Sequence, residues 1–523
     1  RPSSRGGGVC RAGVCALSDP DVSACSMVNS RAWRRGRNSL WLSLAVLLLL
    51  LAPGRSRQPD RLIVLSRHGV RRQFPSGTHD FALYAPGKDF AVDDMDWGVD
   101  GSMGVLTQHG YDAAKRMGFY QGQRYAAANL PLASCDDMFL YCEEDMPRDE
   151  FTAEAFFKGF AEGWGSQGGG GSIPDCAPPP PESAGVEYLI DQGSAPRNDG
   201  KCRLATEQEV EGIVGSVDEY TRLFRPQLEK LNDVLGCCDR SVCPADLPAD
   251  KECTLLDIPH QWDAEHWYVT FIGPIYAGKY FSEWFLLNYL NGMDYAWGKL
   301  TEADVLDLAA FVTEYRHFEF DLLAARPFGS TLLMHILATL EQWASGEQVP
   351  GLSHNPKANM VYHAAHDTNL LYIAELLDLK WVSKGWQPNH TPPGGELVFE
   401  AYEEGGEWFV AAFFDTATPS QVRELTELTL SNPPDRVAVT IPGCSSKDGN
   451  DLLCPLAKFR SIVLRAVDPD CVNLPKLADF MSSLWERDPV VVAAAAAATS
   501  LVPSQPCPQC PIPPDTTGEG AAG

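Results

Sequence analysis

The sequence predicts an α/β fold: a central, mostly parallel sheet flanked by helices, with a helical segment inserted into it. Three observations predict it. Short apolar runs that read as buried strands occur both early and late in the chain, at residues 61–66 and 360–365. Segments of helical period alternate with them. The middle, about residues 176–299, is mostly helical pattern and loop. Each apolar run leads into a histidine motif, Arg67-His68-Gly69-Val70-Arg71 after the first and His366-Asp367 after the second. Ligands of open parallel sheets bind outside the carboxyl ends of the strands, where both motifs fall.

In chain order, residues 1–26 read as leader sequence upstream of Met27. Arg31, Arg34, Arg35 and Arg37 then precede an apolar run over 40–52, ended by Pro53 and Gly54. That is the pattern of a signal peptide over residues 27–57, cleaved between about 52 and 57. The alternative is a signal anchor, but the run is shorter than the roughly 20 apolar residues that span a membrane. The α/β domain is placed over residues 60–175 and 300–473, with the helical cap insertion at 176–299. The tail, 474–523, has a short helical candidate, an Ala run, then Pro and Gly, and is expected to be poorly ordered.

Within the domain, helices are expected from Thr107 over 107–128 and, with Phe151, Ala155, Phe156 and Phe160 on one face, over 148–164. Residues 139–142 read as a strand, and 165–172 with 178–181 as a flexible Gly- and Pro-rich connector. An amphipathic helix is expected over 217–235 and another over 274–290. A further helix to about residue 325 opens at Thr301, with Asp304 as the acidic third position of an N-cap. Residues 397–402 and 408–414 flank Glu-Gly-Gly-Glu, a hairpin signal.

The formal net charge is −27; the first 58 residues hold nine Arg, no Lys and two Asp, which leaves 33 basic and 67 acidic residues, net −34, in the remainder. Broad nucleic-acid or anionic-membrane binding needs a basic footprint and is excluded on this basis. An anionic substrate would need a local positive pocket. The acidic residues Asp93, Asp94, Asp96 and Asp100 read as a solvated loop. Of 16 Cys, 13 follow the signal region, which in an exported chain reads as a disulfide set with at least one thiol left over. Asn389-His390-Thr391 is a glycosylation sequon.

The chemistry rests on the two motifs. Gly69 lets the chain turn tightly after the strand. Arg67 and Arg71 can fork onto phosphate oxygens. A neutral His68 between them can attack phosphorus while the guanidinium charges stabilise the transition state. A carboxylic acid such as Asp367 can protonate the alkoxide leaving group. A metal site from His363, His366 and Asp367 is disfavoured, because strand positions three apart face opposite sides. No metal and no cofactor are expected. Cys507-Pro-Gln-Cys510 reads as a small disulfide or free thiols.

These motifs, with Leu106-Thr107-x-x-Gly110, Glu154-Ala-Phe156, Glu283 before Phe285-Leu-Leu287, Gly292-Met293, Trp297-Gly298 and the run over residues 391–400, resemble the histidine acid phosphatase family in its bacterial phytase and glucose-1-phosphatase branch. The resemblance covers about residues 61–472. It implies the histidine-phosphatase fold, His68 as nucleophile and Asp367 as proton donor. It implies Arg67, Arg71, Arg148 and His366 as phosphate-binding groups, and Glu283 and Arg72 as candidates for substrate contact. It also implies the disulfides Cys135–Cys176, Cys202–Cys471, Cys243–Cys253 and Cys444–Cys454, leaving Cys142, Cys237, Cys238, Cys507 and Cys510 unassigned. An Asp beside several Arg tends to be ionised at neutral pH, so work as an acid implies an acidic optimum. The family usually carries Pro two residues after the second Arg; here Gln73 stands there, which puts the rigidity of that loop in question. The segment over 325–331 reads as shorter than in relatives.

The expectation is therefore a secreted or extracytoplasmic phytase acting on a small-molecule phosphomonoester, with no nucleic-acid partner, no stable membrane partner after signal cleavage, and a monomeric state. The alternatives are a broad acid phosphatase or glucose-1-phosphatase on the same site, and a non-catalytic secreted phosphate-ligand binding protein. Phosphoglycerate mutase-like chemistry, which shares an Arg-His-Gly start, is disfavoured by the signal peptide, the cysteine set and His366-Asp367.

Overall fold

A computed structural model describes residues 57–73, 81–88, 104–143, 146–190, 201–262, 271–319, 322–448 and 451–487. The leader and signal regions, the acidic stretch over 93–100, Cys507 and Cys510 lie outside them.

A nine-stranded sheet forms from β1 (Arg61–Arg67), β2 (Met138–Tyr141), β3 (Pro181–Glu182), β6 (Met360–Ala365), β7 (Glu396–Glu404), β8 (Glu407–Thr416), β9 (Asp435–Val439), β10 (Ser446–Asp448) and β11 (Asp451–Pro455). The strands β4 (Gln261–Trp262) and β5 (Phe271–Ile272) make a separate ribbon. The order is β10-β11-β8-β7-β1-β6-β2-β3, with β9 also on β8. Pairing is parallel among β1, β6, β2 and β3 and antiparallel from β7 onward. The sheet is thus mixed, and the expected parallel character belongs to the half that bears the histidine motifs. The apolar runs are continuous there because both faces are covered: Leu62 to Leu65 and all of β6 are buried. The register sets Arg67 opposite Ala365, so the two motifs leave neighbouring strands at one level. The β7–β8 hairpin turns at Gly405 and Gly406, both at positive φ.

Helices α1 (Gln108–Ala127) and α2 (Pro147–Ser166) pack along their lengths. Glycines make this close approach possible: an added Cβ at Gly118 would lie 2.0 Å from the Phe156 carbonyl, and one at Gly159 1.9 Å from that of Lys115. The N-cap Thr107 accepts from the Gly110 N–H, as expected. The helix expected over 217–235 is two, α3 (Val217–Leu223) and α4 (Arg225–Leu235), broken at Phe224 ahead of Pro226. The helix α5 (Pro274–Leu290) is buried on every side. The next expected helix is α6 (Glu302–Glu319), opened by Thr301 and Asp304 bonding each other's backbone N–H. It does not run to 325, because α7 (Leu322–Ser345) begins there and contains the whole 325–331 segment. The sheet side is completed by α8 (Asp367–Leu376), α9 (Leu456–Ala466) and α10 (Pro475–Trp485).

Two expectations are corrected. The tail after 474 is not disordered at its start, since α10 buries Leu477, Met481 and Leu484 on one stripe. The connector ends in structure: Pro181 and Glu182 pair with β2 as an edge strand, where proline's missing N–H is tolerated. The middle segment shares a core with the sheet, as Leu228, Leu231 and Phe281 cluster with Ile63 and Leu65. All four implied disulfides form, joined by Cys237–Cys238, while Cys142 is a buried free thiol.

Candidate active site

Backbone bonds across the strand ends place the first motif. The His68 N–H donates to the Ala365 carbonyl, and the Gly394 N–H donates to that of His68. The Gly69 N–H donates to Thr152 Oγ1 (2.9 Å), whose hydroxyl donates to the Arg148 carbonyl (2.6 Å). That chain ties the loop to the first turn of α2. Gly110 is obligatory beside it, because a Cβ there would sit 2.0 Å from the Val70 carbonyl.

His68 Nδ1 lies 2.9 Å from the Gly69 carbonyl. A carbonyl oxygen only accepts, so Nδ1 carries the proton and Nε2 keeps its lone pair. Burial, then the charges of Arg148, Arg67 and Arg71, hold the imidazole well below its ordinary protonation range. Both effects favour the neutral form of the ring.

The guanidinium groups are buried and anchored. Arg67 donates to the Thr391 carbonyl (2.6 Å) and to Glu283 Oε1 (3.1 Å), and lies 3.2 Å from Asp367 Oδ2. Arg71 donates to the Arg72 carbonyl and to Gln73 Oε1 (2.8 Å), with Glu283 Oε1 at 3.7 Å. Burial draws the Arg71 group down to about 10, against the pull of Glu283. Gln73 in turn donates to the Tyr280 carbonyl on α5. Its carboxamide thus links the loop to α5. Arg148 belongs to the first turn of α2, with Nη2 3.5 Å from His366 Nδ1. The His68 and His366 rings stand 5.6 Å apart.

The structure therefore brings together Arg67, His68, Arg71, Arg148, Glu283, His366 and Asp367. Arg72 is half-buried next to them, its N–H bonded to the Val105 carbonyl. His363 is separated from His366 as expected, and joins His335, His354 and Tyr141 in a buried cluster. The sequon forms part of the site wall: Asn389 and Thr391 line one small cavity with Arg67 and Asp367.

Sequence reasoning missed several neighbours. Lys279 lies 3.9 Å from Glu283 Oε2; its i−4 spacing from Glu283 on one helix was the available signal. Asp149 and Glu143 face His366, and the only local hint was that Asp149 adjoins Arg148. Among the described residues, Glu143, Asp149 and His366 are the group whose ligand atoms converge enough for a cation. The adjacent Arg148 guanidinium opposes a cation there.

The comparisons follow the same geometry. The model of the histidine phosphatase superfamily (branch 2) matches residues 60–415. The phytase AppA of Escherichia coli (strain K12) is 28% identical over 437 residues, 79% of this chain and 93% of that protein. A glucose-1-phosphatase of Salmonella typhimurium is 25% identical over 422 residues, 78% of this chain and 92% of that protein. The phytase structure from Citrobacter braakii superposes with a TM-score of 0.64 at 23% identity, covering 79% of this chain and 99% of that one. The fold, the paired motifs and the family match agree: the chain belongs to branch 2 of the histidine phosphatase superfamily and is a phosphoric monoester hydrolase.

Proposed function

We propose that the protein is an exported acid phosphatase that hydrolyses phytate through a phosphohistidine on His68. One observation carries the mechanism. The His68 tautomer leaves Nε2 unprotonated within a group of three buried arginines, with Asp367 held next to Arg67. Nε2 attacks phosphorus as the ester oxygen departs with the bonding pair. Arg67, Arg71 and Arg148 take up the charge on the equatorial oxygens. Asp367 gives its proton to the leaving oxygen. Its carboxylate then takes a proton from water, which attacks the phosphohistidine and releases phosphate and neutral His68. Arg67 at 3.2 Å opposes the acid form of Asp367, so acidic solution favours the first step, while burial and the arginines favour the neutral form of His68.

Phytate as substrate is supported by the concentration of buried cations, Arg67, Arg71, Arg148 and Lys279, in a chain of net charge −27, and by relatives named as phytases. Export is supported by the disulfides, which persist in oxidising compartments. Among the described residues no helix is long and apolar enough to cross a membrane.

The test is phosphate release from phytate, glucose 1-phosphate and an aryl phosphate, across acidic to neutral pH with a chelator present. Phytate should be preferred at acidic pH. His68→Ala should be inactive, and Asp367→Asn should suffer most on the poor alkoxide leaving groups. Preference for glucose 1-phosphate would move the substrate to a sugar phosphate. No release from folded protein would leave a phosphate-binding role.

A further inference from the structure

Beneath the catalytic loop, between α1 and the sheet, lies a group of buried charges that the reaction does not use. Glu396 and Glu400 on β7 and Asp415 on β8 are all buried. These three carboxylates meet two guanidinium groups. Arg436 from β9 donates to Asp415 Oδ2 and to Glu400 Oε1, and Arg124 Nη2 from α1 lies 3.9 Å from Glu400 Oε1. Tyr125 and Tyr402 also donate to Glu400. Both cations thus serve Asp415 and Glu400, and among the described residues none comes into ion-pair range of Glu396. A buried carboxylate without a countercharge is far more costly than its neutral acid.

Hydrogen bonding points the same way. Glu396 and Asp415 are directly opposite in the β7–β8 register, and Gln121 Nε2 donates to both, at 2.7 Å to Glu396 Oε2 and at 2.9 Å to Asp415 Oδ2. Two ionised carboxylates so placed repel. Asp415 Oδ1 and Gln121 Oε1 are buried acceptors that no donor reaches among the described residues. A proton on Glu396 adds a donor to a cluster that is short of donors.

We propose that Glu396 is the neutral partner of ionised Asp415, and that its one proton is a pH-sensitive latch beneath the catalytic loop. The position suits that role. Ser66 is opposite Glu396 in the β1–β7 register, the Arg67 N–H donates to the Gly395 carbonyl, and the Gly394 N–H donates to that of His68. The titratable and polar groups facing Glu396 are Asp415 from β8, Arg436 from β9, Gln121 from α1 and Tyr362 from β6. Arg124, Tyr125 and Glu400 stand beyond them. Burial first, and Asp415 second, push the Glu396 carboxyl well up, against a weaker pull from Gln121 and Arg436. As the pH rises the proton passes to solvent. A second negative charge then faces Asp415, and the strand ends that carry the loop are driven apart. This step sets the alkaline limit of the folded enzyme.

The test is urea unfolding between about pH 5 and about pH 9 for wild type and Glu396→Gln, which keeps the shape of the acid but has no proton to lose. The folded acid holds a proton that the unfolded chain releases above about pH 4.3. The unfolding constant of wild type divided by that of the variant should therefore rise with pH, by up to about tenfold per unit, until Glu396 ionises in the fold. Other titrating groups are common to both proteins and cancel in the ratio. Activity on an aryl phosphate, assayed in acid after incubation at rising pH and taken relative to each protein's own starting value, should survive to higher pH in Glu396→Gln. A ratio that does not change with pH would overturn the proposal, as would loss of activity at the same alkaline pH in both proteins. A second measurement needs no variant. Infrared spectra of wild-type protein at about pH 7.5, well above the ordinary carboxylate range, should retain the carbonyl band of a protonated carboxylic acid, and 13C-labelling of the glutamate carboxyl groups should shift it. No shifted band would also overturn the proposal. Neither measurement depends on which phosphate ester is the substrate, so failure of the phytase reading leaves both standing.

Discussion

Gln73 stands two residues after Arg71, where the resemblance leads one to expect proline, and the structure gives its side chain two partners. A proline there would limit the loop through its fixed φ. Gln73 instead places a buried carboxamide between Arg71 and the Tyr280 carbonyl. A hydrogen bond to a charged group is worth about 1.5–3 kcal/mol. Arg71 keeps its contacts with the Arg72 carbonyl and Glu283, so the lower end of that range applies. Gln73→Ala should therefore reduce kcat/KM roughly tenfold, with weaker inhibition by inorganic phosphate. Unchanged phosphate inhibition would show that Arg71 is held without Gln73.

At the scale of elements, the site depends on α2 lying against α1. Arg148, Asp149 and Thr152 all stand on the first turns of α2, and the glycine seam sets how close that helix comes. Any side chain at Gly159 would meet the Lys115 carbonyl at 1.9 Å, a backbone atom that cannot swing away. Gly159→Ala should destabilise the protein by on the order of 2 kcal/mol and lower activity as α2 shifts. Gly170→Ala, where an added Cβ meets nothing within 4 Å, is the control and should leave the melting temperature unchanged. Equal melting temperatures for the two variants would refute the seam argument.

At the scale of the whole molecule, two features govern stability. The Cys202–Cys471 bridge closes a loop across 269 positions, and Cys243–Cys253 closes one of 10. The chain-entropy model assigns about 5.6 kcal/mol to the first and about 2.7 to the second. Replacing each pair by serine should therefore lower the denaturation midpoint more for Cys202/Cys471. The second feature is the buried cluster behind the sheet. Burial lowers His354 to about 3, His363 to about 4, and His335 well below the ordinary range. These groups are neutral in the fold, whereas the unfolded chain takes up protons below about pH 6.5. Their contribution is complete above that pH and declines as the pH falls toward 4, by up to about 1.4 kcal/mol per unit for each histidine. Urea midpoints measured from pH 7 to 4 should fall, and His363→Gln should show a shallower slope. An identical slope would remove the cluster from the account. The core is thus acid-sensitive, and folding sets a lower pH bound on activity.

The sequence alone was sufficient for whatever depends on neighbours along the chain. The two strand-terminal motifs were readable because a fully buried parallel strand is a short apolar run, and a turn needing close approach leaves glycine behind. Thr107 and Thr301 were readable as caps because a cap is a local hydrogen bond. The helix α7 was not read as a separate helix: Pro327 stands inside it, and its buried polar residues Ser330, Thr331, His335 and Thr339 interrupt any apolar stripe. The break at Phe224 was obscured because the apolar stripe runs through it, and α10 was underrated because its three buried residues reveal themselves only when something packs on them. Gln73, Lys279 and Asp149 gained their meaning from tertiary structure alone. Asp149 faces a histidine 217 positions further along the chain, and no local pattern encodes such a pairing. Local propensity and periodicity determine which segments become strands and helices, whereas the protonation and orientation of the site residues are set by burial and by charges that only the folded chain brings together.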